Sequence, residues 1–279
     1  MTTFGTRLEH AFNTFGQLCV GIDPHPDVLS DWGLPDDARG LRECGMRVVE
    51  ASAGRAGIVK PQVACFERHG VAGLQVLAEV IAAAKSAGLL VIADAKRGDI
   101  GSTMEAYAEA WLNPQRDFGV DALTVSPFLG FATLQPAVQA AAQYEAGLFV
   151  LALTSNAEGQ QVQLARDEDG QTVAGRIVRS VAASNAAAAD QGKMGSIGLV
   201  VGATTAHLAE QNGIDLVAGS PPLLAPGYGA QGATAQSIRS GFGAAWGQVL
   251  VNSSRAILAA GPETHGLVSN IEQARTDLQ

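Results

Sequence analysis

Short apolar runs recur along this chain at 18–22, 58–59, 89–93, 122–125, 148–153, 197–201, 223–225 and 249–251, and segments of helical periodicity separate them. Runs this short, with little polar alternation, read as strands buried on both faces. Leu74, Leu77, Ala78 and Ile81 fall at i, i+3, i+4 and i+7 and make one apolar helical stripe, which Gly88 ends. Leu8, Ala11, Phe12 and Phe15 form another stripe ahead of the first run, and 173–189 is an Ala-rich helix candidate. Strand–helix alternation demands parallel strands with crossover helices. Eight such units in 279 residues predict an α/β fold, a closed (β/α)8 TIM barrel, before a doubly wound open sheet. No composition break divides the chain, so a single barrel domain over 1–279 is expected. Two segments interrupt the rhythm: 24–37, rich in Pro and Asp, predicts an extended loop, and the polar stretch 155–171 predicts a loop with a short strand of its own.

A net charge of −9, with no Lys/Arg-rich run, excludes a surface built to track nucleic-acid phosphates. Any anionic ligand must be held by a few local groups. Cys19, Cys44 and Cys65 lack CxxC spacing, and the five histidines show no HxH or HExxH pattern, so neither a disulfide framework nor a metal site is expected. No stretch reaches the roughly 18 apolar residues of a membrane span, and the amino terminus has no charged segment followed by an apolar one. The expectation is a cytoplasmic protein with no membrane or nucleic-acid partner.

Polar residues stand at the ends of nearly all the apolar runs: Asp23, Lys60, Asp94 with Lys96, Ser126, Thr154, Thr204, and Asn252 with Ser253 and Ser254. A barrel collects such positions on one rim, the end where barrel enzymes keep their sites. The densest cluster is Asp94-Ala95-Lys96-Arg97-Gly98-Asp99. Strand alternation sends Asp94 and Lys96 to the same side, and Asp99 follows Gly98 into a loop. A lysine between two carboxylates stays protonated while the carboxylates stay ionised, which equips it to deliver a proton. The bare pattern serves equally as a salt-bridge network closing the rim.

From Asp94 to Thr103 the chain resembles the orotidine 5'-phosphate decarboxylase family, whose signature is an apolar strand followed by Asp-x-Lys-x-x-Asp-[Ile/Val]-[Gly/Pro]-x-Thr. The resemblance continues, in order, at Gly21-Ile22-Asp23-Pro24, Val59-Lys60-Pro61-Gln62, Ser126-Pro127, Thr154-Ser155-Asn156, the loop from Pro226 to Gly232, and Asn252-Ser253-Ser254-Arg255. Length and the long first loop are similar to the family's larger bacterial type. The resemblance implies decarboxylation of orotidine 5'-monophosphate to uridine 5'-monophosphate, closing pyrimidine synthesis, with no metal or organic cofactor. It implies an alternating row of Lys60, Asp94, Lys96 and Asp99, with Lys96 protonating C6 of the pyrimidine. It also implies a homodimer in which Asp99, Ile100 and Thr103 enter the partner's site. Asp23 is assigned to the ribose and Ser126 to the pyrimidine edge. Pro226, Gln231 and Gly232 belong to a lid, with Gln231 reaching the phosphate and the pyrimidine once it closes, and Ser254 and Arg255 join the substrate contacts, Arg255 at the phosphate. Two alternatives stay open: a metal-dependent sugar-phosphate decarboxylase of the same superfamily, which Lys60 disfavours because an acidic residue is typical there, and a non-catalytic nucleotide-binding barrel.

Overall fold

The computed structural model describes residues 2–229 and 232–279. Each of the eight apolar runs is a strand: β1 (Leu18–Ile22), β2 (Ile58–Pro61), β3 (Leu90–Arg97), β4 (Ala122–Val125), β5 (Gly147–Leu153), β6 (Ile197–Val201), β7 (Leu223–Pro226) and β8 (Val249–Ser253). Every strand pairs in parallel with the next, and β8 returns to β1, so the sheet closes into a (β/α)8 barrel. The crossover helices include Ala38–Ser52, Gly70–Ser86, Gly101–Leu112 and Val173–Ala189, and Thr264–Leu278 follows the last strand.

The strand period divides the side chains into two cores. Cys19, Ile58, Ile92, Phe149, Leu224 and Leu250 point into the lumen and form one apolar cluster. Their sequence neighbours Val20, Val59, Val91, Leu148, Leu223 and Val251 belong to the larger cluster beneath the helices. Two residues farther along the inward-facing rows of β2, β3, β7 and β8 stand Lys60, Asp94, Pro226 and Asn252. The same period that fills the lower lumen with apolar side chains therefore aims these residues at its carboxyl end.

The opposite end is sealed by the helix Phe4–Phe15, whose Phe4, Leu8 and Ala11 join the lumen cluster. The Phe4 ring meets Phe149 edge to face, with centroids 6.0 Å apart. Arg7 pairs with Asp121, whose other carboxylate oxygen accepts the Val91 N–H at 2.9 Å, so the seal is tied to β3.

Both irregular segments differ from expectation. Residues 24–37 contain a short helix, Pro26–Asp31, in place of a wholly extended loop; proline suits a first helical turn because its fixed φ is preorganised and its missing N–H is not needed there. Residues 155–171 contain no named strand. They hold a 3-10 turn (Ala157–Gly159), a short helix (Gln160–Gln163) and one isolated bridge between Arg166 and Thr172. Gln163 explains the helical choice: its Oε1 accepts the Thr154 N–H at 2.9 Å and its Nε2 donates to Thr154 Oγ1 at 2.7 Å, folding the segment back onto the end of β5. Among the described residues, no helix is long and apolar enough to cross a membrane.

Because Phe4 is fully buried beneath the lumen, Phe4→Ala should lower unfolding free energy by about 3–5 kcal/mol through lost transfer energy and the cavity left behind. Urea denaturation checks this, and a loss of less than about 1 kcal/mol would show that the helix is not a sealing element.

Candidate active site

The pairing of Val59 with Val91 sets β2 beside β3 so that Lys60 reaches Asp94. The Lys60 side chain is only 3% exposed, and its Nζ lies 2.9 Å from Asp94 Oδ2. Asp94 Oδ1 in turn receives Lys96 Nζ at 2.5 Å. Gln62 Nε2 donates to Asp94 Oδ2 at 3.1 Å, and the Thr124 hydroxyl to Asp94 Oδ1 at 3.1 Å. The carboxylate thus has four donors around it and sits between two ammonium groups.

Electrostatics keep Lys60 and Asp94 charged. Burial works to lower the pKa of Lys60, but the Asp94 and Asp23 carboxylates and the hydrogen bond to Asp94 outweigh it, and the net shift is upward. Burial would raise the pKa of Asp94, yet Lys60 and Lys96 hold its carboxyl well below the usual carboxylate range. Cys19 in the lumen below has its thiol pushed up to about 12, mainly by burial, and therefore stands beneath the site as a neutral group.

Lys96 reaches Asp94 by a route that simple strand alternation does not describe. Its φ is +50°, in the left-handed region, and the β3–β4 register shifts between Ala93 and Arg97. Its N–H is taken by Thr124 Oγ1 at 2.9 Å. Arg97 then anchors the turn: it pairs with Glu67 and stacks over Tyr107 and Trp111 at 5.7 and 5.5 Å from the ring centroids. Gly98 passes so close to β4 that a Cβ there would lie 2.5 Å from the Ser126 carbonyl oxygen. Asp99 follows, its Oδ1 accepting the Ile100 N–H at 2.8 Å.

These groups open onto a cavity of about 560 Å³ at the carboxyl ends of the strands. Asp23, Lys60, Asp94 and Lys96 line one side, Thr154, Asn156, Val162 and Gln163 contribute from β5 and its following loop, and Pro226, Ser254 and Arg255 contribute from β7 and β8. Asp23 Oδ1, Asn252 Oδ1 and Ser254 Oγ are buried with no hydrogen-bond partner among the described residues; the first two can accept from ligand hydroxyls, and the Ser254 hydroxyl can also donate to an oxyanion. The β1–β8 seam is tight there, because a Cβ on Gly21 would fall 2.6 Å from Ser254 Cβ.

Seven of the residues singled out from sequence thus share one cavity: Asp23, Lys60, Asp94, Lys96, Pro226, Ser254 and Arg255. Asp99, Ile100 and Thr103 are not among the residues lining the cavity of their own chain. Ser126 is not among them either; it follows β4, its N–H donating to the Arg97 carbonyl at 2.7 Å. Gly232 lines a neighbouring depression with Tyr228 and Asp277. Gln231 lies outside the described residues. Sequence reasoning missed Thr124, Gln62 and Gln163. Thr124 was detectable as the one polar residue in the run 122–125, and Gln62 lay unassigned beside Lys60. Gln163 carried no local signal, because only the folded loop brings it back to Thr154.

Comparison with known proteins identifies the family. Residues 16–266 match the family described as Orotidine 5'-phosphate decarboxylase / HUMPS family. The orotidine 5'-phosphate decarboxylase of Salinispora tropica is 49% identical over 277 residues, covering 99% of this chain and 97% of its own. That of Streptomyces coelicolor is 50% identical over 268 residues, covering 96% and 94%. A crystal structure of a Streptomyces avermitilis protein superposes with a TM-score of 0.94 at 48% identity, covering 100% of this chain and 95% of that one. The structure of Leishmania donovani OMP decarboxylase superposes with a TM-score of 0.76 at 28% identity, covering 98% and 99%. With the match running through β1 to β8 and near-complete relatives at about half identity, this chain belongs to the orotidine 5'-phosphate decarboxylase / HUMPS family.

Proposed function

We propose that this barrel decarboxylates orotidine 5'-monophosphate to uridine 5'-monophosphate and carbon dioxide, the last step of de novo pyrimidine synthesis, using no metal or organic cofactor. The observation that carries the reading is the ion row in the cavity, Lys60 to Asp94 at 2.9 Å and Asp94 to Lys96 at 2.5 Å. In the reaction the bond from C6 to the carboxylate breaks, carbon dioxide leaves, and the electron pair remains on C6. That pair lies in the ring plane, orthogonal to the ring's π system, so it cannot be delocalised there and fixed charge must stabilise it. Lys96 supplies the charge and then a proton from Nζ to C6, and the amine regains its proton from solvent. Asp94 stands against the departing carboxylate, and their repulsion is relieved as carbon dioxide forms. Lys60 keeps Asp94 ionised.

The remaining roles follow the chemistry of each side chain. Arg255 offers a planar cationic fork to the phosphate, with Ser254 beside it. Pro226, Gln231 and Gly232 belong to a loop that closes over the phosphate and excludes water. Asp23 takes the ribose hydroxyls and Ser126 the pyrimidine edge. Asp99, Ile100 and Thr103 act in the neighbouring cavity of a homodimer. In support, they stand outside their own cavity, Ile100 is 59% exposed, and Phe128 and Leu129 on the adjacent loop are 79% and 53% exposed. An apolar rim of this kind calls for a protein surface to cover it. We read residues 1–279 as one barrel domain working in the cytoplasm, in keeping with three buried free cysteines.

A metal-dependent sugar-phosphate decarboxylase is the other reading within the family. The ammonium of Lys60 disfavours it, because it is bonded to the Asp94 oxygen that a divalent cation would need. An ultraviolet assay should show orotidine 5'-monophosphate consumed at the same rate with and without chelator; no consumption, or consumption abolished by chelator, would overturn the proposal.

Lys96→Ala should lower kcat by roughly 10²–10⁴-fold or more while uridine 5'-monophosphate still binds, since a proton donor acts on the transition state. Arg255→Ala should chiefly weaken nucleotide affinity, and calorimetry with uridine 5'-monophosphate and with uridine separates its phosphate contribution from the rest. The charge row also has a pH signature. The Asp94 carboxyl is depressed by folding, so its contribution is present above the unfolded pKa of about 3.9 and lost as pH falls through the folded value. The Lys60 ammonium is raised, so its contribution is present below about 10.4 and lost as pH rises through the folded value. A Lys60–Asp94 double-mutant cycle in urea should therefore give a constant coupling from about pH 5 to about pH 9. A coupling that varied strongly within that window would mean that one of the two groups titrates there.

A further inference from the structure

Lys96 is a non-glycine residue held at φ +50°, immediately beside the reacting centre. Such a conformation persists only where its surroundings over-determine it. Arg97 and Gly98 constrain the chain after Lys96, but the contact made by Lys96's own main chain is to a side chain: its N–H donates to Thr124 Oγ1 at 2.9 Å. The β3–β4 ladder shifts register at this point, between Ala93 and Arg97, so the hydroxyl serves as acceptor where the ladder is interrupted. Thr124 is 1% exposed and stands between the apolar residues Leu123 and Val125. The same oxygen lies 3.1 Å from Asp94 Oδ1, with the Ala93 carbonyl farther away at 3.5 Å. A hydroxyl has one proton and two lone pairs. Accepting from Lys96 N–H and donating to Asp94 uses them coherently, and both partners belong to the ion row.

We propose that Thr124 is a positioning residue for the proton-transfer step, its hydroxyl fixing the left-handed backbone of Lys96 and the Asp94 carboxylate to which the Lys96 ammonium is bonded. The inference deepens the decarboxylase reading and rests on it for the identity of the reaction. Thr124 does not touch the substrate; it acts through the direction in which Nζ leaves the backbone. Valine preserves the shape of the side chain and removes the hydroxyl. That leaves the Lys96 N–H without its acceptor and Asp94 with one donor fewer, so φ relaxes and Nζ swings away. A displacement of about 1 Å at a reacting group can cost roughly 10²-fold in rate.

The test compares Thr124→Val, Thr124→Ser and wild type in kcat, KM, affinity for uridine 5'-monophosphate and crystal structure. Thr124→Val should lose roughly 10- to 100-fold in kcat, with product affinity changed by no more than about twofold. Thr124→Ser, which restores the hydroxyl, should recover most of the loss. A purely structural role would lower thermal stability in the valine variant without this split between kcat and binding, and without rescue by serine. Thr124→Ala replaces the valine variant if that chain does not fold. Wild-type kcat in the hydroxyl-less variant, or a serine variant as impaired as the valine one, would overturn the proposal. So would a Thr124→Val structure in which Lys96 keeps its positive φ and its contact with Asp94. That crystallographic comparison needs no substrate, so it judges Thr124 even if the wild-type chain fails to decarboxylate orotidine 5'-monophosphate and the functional reading falls.

Discussion

Lys60 is a cation taken out of water at the carboxyl end of a barrel lumen, and the site is organised around the carboxylate that makes this tolerable. Removing an ammonium from water carries an effective penalty of several kcal/mol, about as much again for its counter-ion, and only close contact with further hydrogen bonds offsets it. Asp94 meets that condition by lying 2.9 Å from Lys60 and accepting from Gln62, Thr124 and Lys96 as well. Because Asp94 is shared, the carboxylate that keeps Lys60 charged also holds the side chain of Lys96 in place. Of the three groups in contact, Lys96, with its side chain 49% exposed, is the one most open to the cavity.

The barrel separates stability from chemistry along its axis. Its lower lumen is closed by Phe4, Leu8 and Phe149 in an apolar cluster that contains no ionised group. Two residues higher on β2 and β3 the inward positions carry Lys60 and Asp94. The apolar floor lowers the local dielectric beneath the row, which strengthens the pairing and the field on a bound carboxylate. On the β7–β8 side, Arg255 and the Ser254 hydroxyl can donate to an anionic group, while Asn252 Oδ1, without a partner among the described residues, can accept from a hydroxyl.

Strand positions were legible because each apolar run matches the two-sided burial of a parallel strand, and the cluster at Asp94 stood out because charges serve no purpose in such a run. The runs nevertheless understate β2 and β3, which continue to Pro61 and Arg97. There the inward residues turn from core to site and the apolar signal stops before the strand does. The loops were less legible: the helix Pro26–Asp31 and the helix Gln160–Gln163 are short segments whose conformation is set by capping and by contacts to distant residues. Thr124 shows the same limit at the site, since nothing near it in sequence indicates that its hydroxyl meets a lysine N–H from another strand.

By itself the sequence determined the order of elements, the barrel, and the residue types from which the ion row is made, because periodicity and buried charge are local properties of the chain. Only the tertiary structure decided that Lys60 lies against Asp94, that Lys96 adopts a positive φ beside Thr124, and that Gln163 returns to Thr154. Those facts depend on strand register and on hydrogen bonds between residues 34, 28 and 9 positions apart. Spacing along the chain carries no information about which of the possible partners will meet once the sheet has closed.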